Sequence, residues 1–226
     1  MKTIAIIPSA GHGKRLGSRQ KKPFVLLGSR PLVYYSLRTL EDCASIDGII
    51  IAAERSCVAR FRVLVKKCGF KKVVDVVVGG KTRSESVRNC LKRIGPSADI
   101  VLIHDAARPF IESYLIEKSI RAARKTGGCI VAVPESDTVK LVDSGLFIKD
   151  TLDRNRVFRA QTPQVFRRDL IQKAYGRLKH AKATDDAGLV EMAGGRVKVI
   201  MGSYRNIKIT TKEDLKLAEV LLCGSE

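Results

Sequence analysis

Ile4-Ala5-Ile6-Ile7-Pro8-Ser9-Ala10-Gly11-His12-Gly13-Lys14-Arg15-Leu16-Gly17 is the stretch on which the reading of this chain turns. An apolar run of strand length empties into a loop with glycines two positions apart. Lys14, Arg15, Arg19, Lys21 and Lys22 then fall within nine residues. Glycine lets backbone approach a ligand closely, so that N–H groups can point at an anion. The cations supply the charge a polyphosphate needs. Two familiar phosphate motifs are excluded. Position 16 is Leu, so G-x-G-x-x-G fails, and no G-x-x-x-x-G-K-[ST] occurs anywhere.

Four more continuous apolar runs follow, at Ile49–Ala53, Val73–Val78, Ile100–Ile103 and Cys129–Val133. Unbroken rather than alternating, they predict strands covered on both faces. Helical stripes lie between them at Pro31–Leu40, Val87–Ile94 and Leu115–Ala123. The expected fold is α/β, a doubly wound, mostly parallel sheet with right-handed crossovers. After Val133 the pattern changes. Asp137–Val142 and Leu146–Leu152 alternate about Ser144-Gly145, which predicts an inserted β-hairpin. A lone hairpin is marginal in water, so another subunit is its expected support. Helices are then expected at Arg167–Leu178, Asp185–Met192 and Asp214–Leu222, with short strands at Val197–Met201 and Ile207–Ile209. Thr210 or Thr211 is the expected cap of the last helix.

Composition narrows the functional classes. The 226 residues are 45% hydrophobic and 29% charged, ordinary for one globular domain. No apolar run approaches the roughly 18 residues of a membrane span, and the amino terminus is too brief for a secretory core, so a cytoplasmic protein is expected. Six cysteines lie far apart without C-x-x-C pairs, which argues against structural zinc and a disulfide framework. The formal charge of +19 could serve nucleic acid or anionic small substrates. Aromatics are 5% with no Trp, which leaves little for base stacking, and steering of phosphorylated substrates fits better.

In an open α/β sheet the ligand sits beyond the carboxyl ends of the strands. Three unusual loops belong there: Ser9–Gly17, Gly79-Gly80-Lys81-Thr82-Arg83-Ser84-Glu85-Ser86, and His104-Asp105-Ala106-Ala107-Arg108-Pro109. Each alone has a plain explanation as a turn, a helix cap or a local ion pair. Their convergence on one edge points to a site. His104 invites the role of general base, but a phosphate nucleophile is already ionised and needs none, so His104, His12 and His180 are read as structural.

With Asp153-Arg154-Asn155, Thr162-Pro163-Gln164, Thr184-Asp185-Asp186 and Asn206-Ile207-Lys208-Ile209-Thr210, these loops make seven ordered segments. Together they resemble the 2-C-methyl-D-erythritol 4-phosphate cytidylyltransferases of the non-mevalonate isoprenoid pathway, over nearly the whole chain. The resemblance implies a Rossmann-like nucleotidyltransferase fold in one domain, residues 1–226, with a dimerisation arm at about 136–157. It implies attack of a methylerythritol phosphate oxygen on the α-phosphorus of CTP, with magnesium held mainly by the CTP phosphates and Asp105 as a candidate contact. Lys22, Lys208 and Arg15 would be catalytic. CTP would meet Ser9, Ala10, Gly11, Gly13, Lys14, Arg15, Gly80, Arg83, Ser86, Asp105 and Ala106. Methylerythritol phosphate would meet Arg108, Thr138, Arg154, Thr162, Thr184 and Lys208, some of them across a homodimer. The family's usual P-K-Q-[FY] is here Lys21-Lys22-Pro23-Phe24, which leaves Lys21 as an alternative to Lys22, and Lys81 stands where an acidic residue is common. A ribitol 5-phosphate cytidylyltransferase would use the same chemistry, and a basic nucleic-acid-binding protein is the rival of another class.

Overall fold

The structure is a computed structural model that describes residues 1–11, 20–178 and 183–224. In chain order the elements are β1 (Lys2–Ser9), β2 (Leu26–Leu27), β3 (Arg30–Pro31), α1 (Leu32–Asp42), β4 (Gly48–Ala53), α2 (Val58–Cys68), β5 (Val73–Val78), α3 (Arg83–Leu91), β6 (Ala98–Ile103), α4 (Ser113–Thr126) and β7 (Gly128–Pro134). There follow β8 (Lys140–Val142), β9 (Ile148–Thr151), β10 (Phe158–Arg167), α5 (Arg168–Arg177), α6 (Asp186–Met192), β11 (Lys198–Met201) and α7 (Lys212–Cys223).

Seven strands form one sheet in the order β11-β7-β10-β6-β1-β4-β5. All the pairings are parallel except those of β10 with β6 and with β7. Side chains on a strand alternate between faces, and the continuous apolar runs therefore feed two cores. Ala5, Ile7, Ile49, Ile51 and Leu102 face Val33 and Leu37 of α1, Phe61 of α2 and Leu115 and Ile116 of α4. Ile4, Ile6, Ile50, Val101 and Ile103 face Val87 and Cys90 of α3, Ile171 of α5 and Val190 of α6. Each fully buried Ile, Leu or Phe contributes roughly 1.5–3 kcal/mol. A third, smaller cluster joins Leu27, Leu32, Ala107, Ile209 and Ala218, and fastens α7 near the mouth of the sheet.

Three expectations need correcting. β10 has no counterpart among the expected elements, because a proline between Thr162 and Gln164 does not look like part of a central strand. Its pairing with β7 jumps from Ala160↔Ala132 to Gln164↔Ile130, so residues 161–163 oppose a single residue. The bulge accommodates Pro163 where no ladder N–H is required, and antiparallel β10 carries Thr162 past the end of β6. α2 has no counterpart among the expected helices, although Gly69 in the left-handed region (φ 66°) is a clear stop signal. Ile207–Ile209 is not a strand; it is irregular chain whose Ile209 N–H donates to the Ala107 carbonyl at 2.9 Å.

The hairpin is present as a separate two-stranded sheet of β8 and β9. Thr211, rather than Thr210, caps α7, in a capping box with Asp214. Among the described residues no helix is long and apolar enough to cross a membrane.

Candidate active site

β1, β4, β5 and β6 run parallel, so Ser9, Ala53, Val78 and Ile103 end at one edge. From β1 the chain steps outward through β4 to β5 and then returns to place β6 on the other side of β1. That reversal opens a crevice between the β1 and β6 ends. A cleft of about 400 Å³ occupies it, lined by Ser9, Ala10 and Gly11 after β1, Gly80 to Arg83 and Ser86 around the start of α3, Asp105 to Ala107 after β6, and Lys22, Lys208 and Thr210.

Close backbone approach builds the first wall. A Cβ on Gly79 would stand 2.5 Å from the Ala10 Cβ and 2.9 Å from the Ser86 Oγ. A Cβ on Gly80 would collide with the Glu85 side chain. Both positions need glycine because two loops and a helix start meet there. Thr82 caps α3 in a reciprocal box with Glu85, an arrangement worth about 1 kcal/mol. The Ser86 hydroxyl accepts from the Gly80 N–H at 3.1 Å and donates to the Thr82 carbonyl at 3.0 Å. It therefore shapes this loop from within. The Ser9 hydroxyl is buried and has no partner among the described residues.

The second wall is electrostatic. Asp105 Oδ1 accepts from Arg83 Nε at 3.0 Å, and Oδ2 lies 2.7 Å from Lys208 Nζ and 3.9 Å from Arg108 Nε. Burial alone would push the Asp105 carboxyl up. The facing Arg83 guanidinium and Lys208 ammonium outweigh it and hold the group well below the usual carboxylate range. Arg108 is buried and donates to the carbonyls of Asn206 (2.7 Å) and Ala160 (3.4 Å). The Asn206 amide in turn donates to Gln161 Oε1 at 3.1 Å and the Thr162 carbonyl at 2.9 Å. This clip ties the Lys208 segment to the β6 loop.

His104 is fully buried. Nε2 lies 3.1 Å from the Arg108 carbonyl, which can only accept, so Nε2 carries the proton. Nδ1 then accepts from Thr162 Oγ1 at 3.0 Å, and the same oxygen accepts from the Asp105 N–H at 3.0 Å. Burial pushes the imidazole down to about 4, so it is neutral near pH 7. It braces the Asp105 loop.

The cleft is thus a glycine-backed pocket with Lys22, Lys81, Arg83 and Lys208 against the carboxylate of Asp105, the only acidic group lining it among the described residues, a shape and sign suited to a phosphorylated nucleotide. The family model for 2-C-methyl-D-erythritol 4-phosphate cytidylyltransferase matches residues 3–223. The enzyme of that name from Syntrophotalea carbinolica is 44% identical over 98% of this chain and 97% of its own. The chain belongs to the 2-C-methyl-D-erythritol 4-phosphate cytidylyltransferase family. The namesake from Clostridium tetani is 44% identical over 96% of this chain and 89% of its own. The crystal structure of 4-diphosphocytidyl-2C-methyl-D-erythritol synthase from Anaerococcus prevotii matches at TM-score 0.88 and 34% identity, over 98% of both chains. That of the Thermus thermophilus cytidylyltransferase matches at 0.78 and 31%, again over 98% of both. Members of the family are CTP-dependent nucleotidyltransferases.

Against this cytidylyltransferase frame, the residues expected from sequence divide into groups. Ser9, Ala10, Gly11, Lys22, Gly80, Arg83, Ser86, Asp105, Ala106 and Lys208 line the cleft together. Lys21 turns away to Glu54 at 2.9 Å, so of the two adjacent lysines it is Lys22 that reaches the cleft. Arg108 and Thr162 lie behind it, bonded inward. Thr138 and Arg154 are exposed beside the hairpin, and Thr184 is exposed ahead of α6; none of the three lines the cleft. Gly13, Lys14 and Arg15, with His12, fall outside the described residues. Missing from the sequence reading were Asp186, which pairs with Arg83 at 2.7 Å, and Tyr175 behind it. Asp186 stands in the Thr184-Asp185-Asp186 segment and in the expected helix Asp185–Met192, with no site role given to it.

Proposed function

We propose that this chain transfers the cytidylyl group of CTP to 2-C-methyl-D-erythritol 4-phosphate, giving 4-diphosphocytidyl-2-C-methyl-D-erythritol and pyrophosphate. The observation that carries the reading is the meeting of Lys22 and Lys208 in one glycine-backed cleft at the sheet's reversal point. An ionised phosphate oxygen of the sugar phosphate forms the new bond to the α-phosphorus, and the bond to the bridging oxygen of the leaving pyrophosphate breaks with its electron pair. Lys22 and Lys208 stabilise the charge on the pentacoordinate phosphorus, as preorganised donors. Ser9, Ala10, Gly80 and Ser86 shape the pocket for cytosine, with Gly11, Arg83 and Ala106 completing the nucleotide site. Gly13, Lys14 and Arg15 wrap the triphosphate, and Asp105 orients Lys208 beside the ribose.

A divalent cation, magnesium by this reading, enters with the triphosphate. No group of three or more potential ligands occurs among the described residues, and both Asp105 oxygens already face cations. The protein side thus does not fit a dedicated metal cage.

The reading also assigns residues 1–226 to one catalytic domain with an arm at about 136–157. Leu146, Phe147 and Ile148 at its tip are 80%, 76% and 63% exposed, an unusual apolar cluster for a solvated hairpin. A second copy of the chain covers it, and places Thr138 and Arg154 by the partner's cleft, with Arg108, Thr162 and Thr184 completing the sugar-phosphate side. Phe147→Asp is then expected to give a monomer in sedimentation and to lose turnover while Mg-CTP still binds. A variant that stays dimeric with full activity would refute the assignment.

The test of the reaction is pyrophosphate release with CTP and magnesium, offering methylerythritol 4-phosphate and ribitol 5-phosphate in parallel. Turnover with the first alone is expected. Turnover with ribitol 5-phosphate alone would move the substrate. Salt-dependent duplex DNA binding without turnover would overturn the enzymatic reading altogether.

A further inference from the structure

Arg83 makes two contacts with two different nitrogens. Nε donates to Asp105 Oδ1 at 3.0 Å, while Nη1 donates to Asp186 Oδ2 at 2.7 Å. Asp186 has no exposure to solvent, and Tyr175 behind it has 4%; neither lines the cleft, so neither can touch a substrate. The Tyr175 hydroxyl donates to Asp186 Oδ1 at 2.6 Å. Gln164 Oε1 accepts from the N–H groups of Asp186 and Ala187 at 3.1 and 3.0 Å, and its Nε2 donates to Asp185 Oδ2 at 2.7 Å. Arg88, on the same helix as Arg83, lies 5.6 Å from the centre of the Tyr175 ring. Asp186 is thus held through its backbone by Gln164 of β10 and through Oδ1 by Tyr175 of α5, and its other oxygen is turned to the arginine beside the cleft.

The consequence lies in how Asp105 divides its two oxygens. A guanidinium facing a lone carboxylate tends to pair with it bidentately. Such a pairing would claim Oδ2 of Asp105, the atom 2.7 Å from Lys208 Nζ. Held at its other end by Asp186, Arg83 takes only Oδ1. We infer that Asp186, clamped by Tyr175 and Gln164, is a positioning residue that acts through Arg83 to reserve one Asp105 oxygen for Lys208. This rests on the role proposed above for Lys208. It adds a control on that lysine's position from a layer of the protein that no substrate reaches. A shift of about 1 Å in a catalytic group can cost on the order of 100-fold in rate, so such bracing has room to matter.

The experiment compares Asp186→Asn, Tyr175→Phe and Lys208→Ala in the full-length protein, measuring kcat, the KM for each substrate and the thermal midpoint. Asp186→Asn is expected to lower kcat by about tenfold or more, with the KM for CTP within about threefold of the parent. Tyr175→Phe, which deletes one oxygen atom, is expected to lower kcat by about threefold. In an Arg83→Gln background, Asp186→Asn should add less than about twofold, because residues acting as one unit are not additive. A lower thermal midpoint with unchanged kcat in Asp186→Asn and Tyr175→Phe would make the cluster merely structural, as would full additivity with Arg83→Gln. If Asp186→Asn does not fold, Tyr175→Phe decides. The two readings fail separately. An active Lys208→Ala overturns the role of the lysine itself, whereas an inactive Lys208→Ala beside fully active Asp186→Asn and Tyr175→Phe overturns only the positioning.

Discussion

Replacing Lys208 with alanine is expected to lower kcat by about 10²–10³-fold, the usual cost of removing one preorganised donor from a transition state. The expectation follows from how firmly the lysine is held, although the segment carrying it pairs with no strand among the described residues. Asn206 is clamped by Gln161 and the Thr162 carbonyl, and Ile209 by the Ala107 carbonyl. Thr210 offers its N–H and hydroxyl to Asp214, each at 2.7 Å. Truncation at Cβ leaves all of these bonds in place. The side chain is 40% exposed, so its ion pair with Asp105 contributes little to folding and the thermal midpoint should barely move. Single-turnover pyrophosphate release with both substrates saturating separates chemistry from binding. A fall of less than about tenfold would remove Lys208 from the transition state. Lys208→Arg should restore only part of the rate, because a third guanidinium, beside those of Arg83 and Arg108, would compete for Asp105.

The parts of this molecule legible in its sequence are those governed by local rules. Continuous apolar runs marked β1, β4, β6 and β7, because strands buried on both faces cannot alternate. The run of β5 marked a strand too, although this edge strand leaves Val74 63% exposed and so is not covered on both faces. The rule placing ligands at carboxyl ends gathered Ser9, Gly80 and Asp105 from three distant segments, and the three line one cleft. What stayed hidden depends on pairing across the chain. β10 looks polar because the Thr162 and Gln164 side chains find their partners far along the chain, in His104, Asp105, Asp185, Asp186 and Ala187. Arg83 and Asp186 are 103 residues apart, and no periodicity or motif connects them. Lys21 and Lys22 are adjacent and chemically alike. Only the 3-10 turn over Lys22–Phe24, with the Phe24 ring tilted against Phe61 at 4.8 Å between centroids, sends the second into the cleft and leaves the first to Glu54. The α2 stripe was readable in principle from Val58, Phe61 and Val65, ended by Gly69. It was masked by the lysines and arginines crowding between them.

The stability of the ligand-free protein should fall by about 3 kcal/mol as pH drops from about 6.5 to 4, through His104 alone. In the unfolded chain an imidazole titrates near 6.5. In the folded protein burial holds this one at about 4. A folded-state value below the unfolded one means that between those limits the unfolded chain binds more protons, so acid favours unfolding. The contribution is fully present above about 6.5 and lost as pH falls through the folded value. The geometry explains why the protein cannot relax around a protonated ring. Nδ1 already accepts the Thr162 hydroxyl proton, and that hydroxyl accepts the Asp105 N–H. A proton on Nδ1 would force the Thr162 hydroxyl to turn its own hydrogen away from the ring into buried surroundings, which weakens the brace beneath Asp105. The depressed carboxyl of Asp105 adds its own acid loss only below the ordinary Asp range, so the two effects occupy separate windows. Urea titrations at pH 7, 5.5 and 4.5 on the parent and His104→Gln check this. The parent should lose its advantage over the variant progressively across that interval. Parallel curves for the two proteins would show that His104 does not titrate on unfolding, and the tautomer assigned here, with Thr162 as donor, would have to be abandoned.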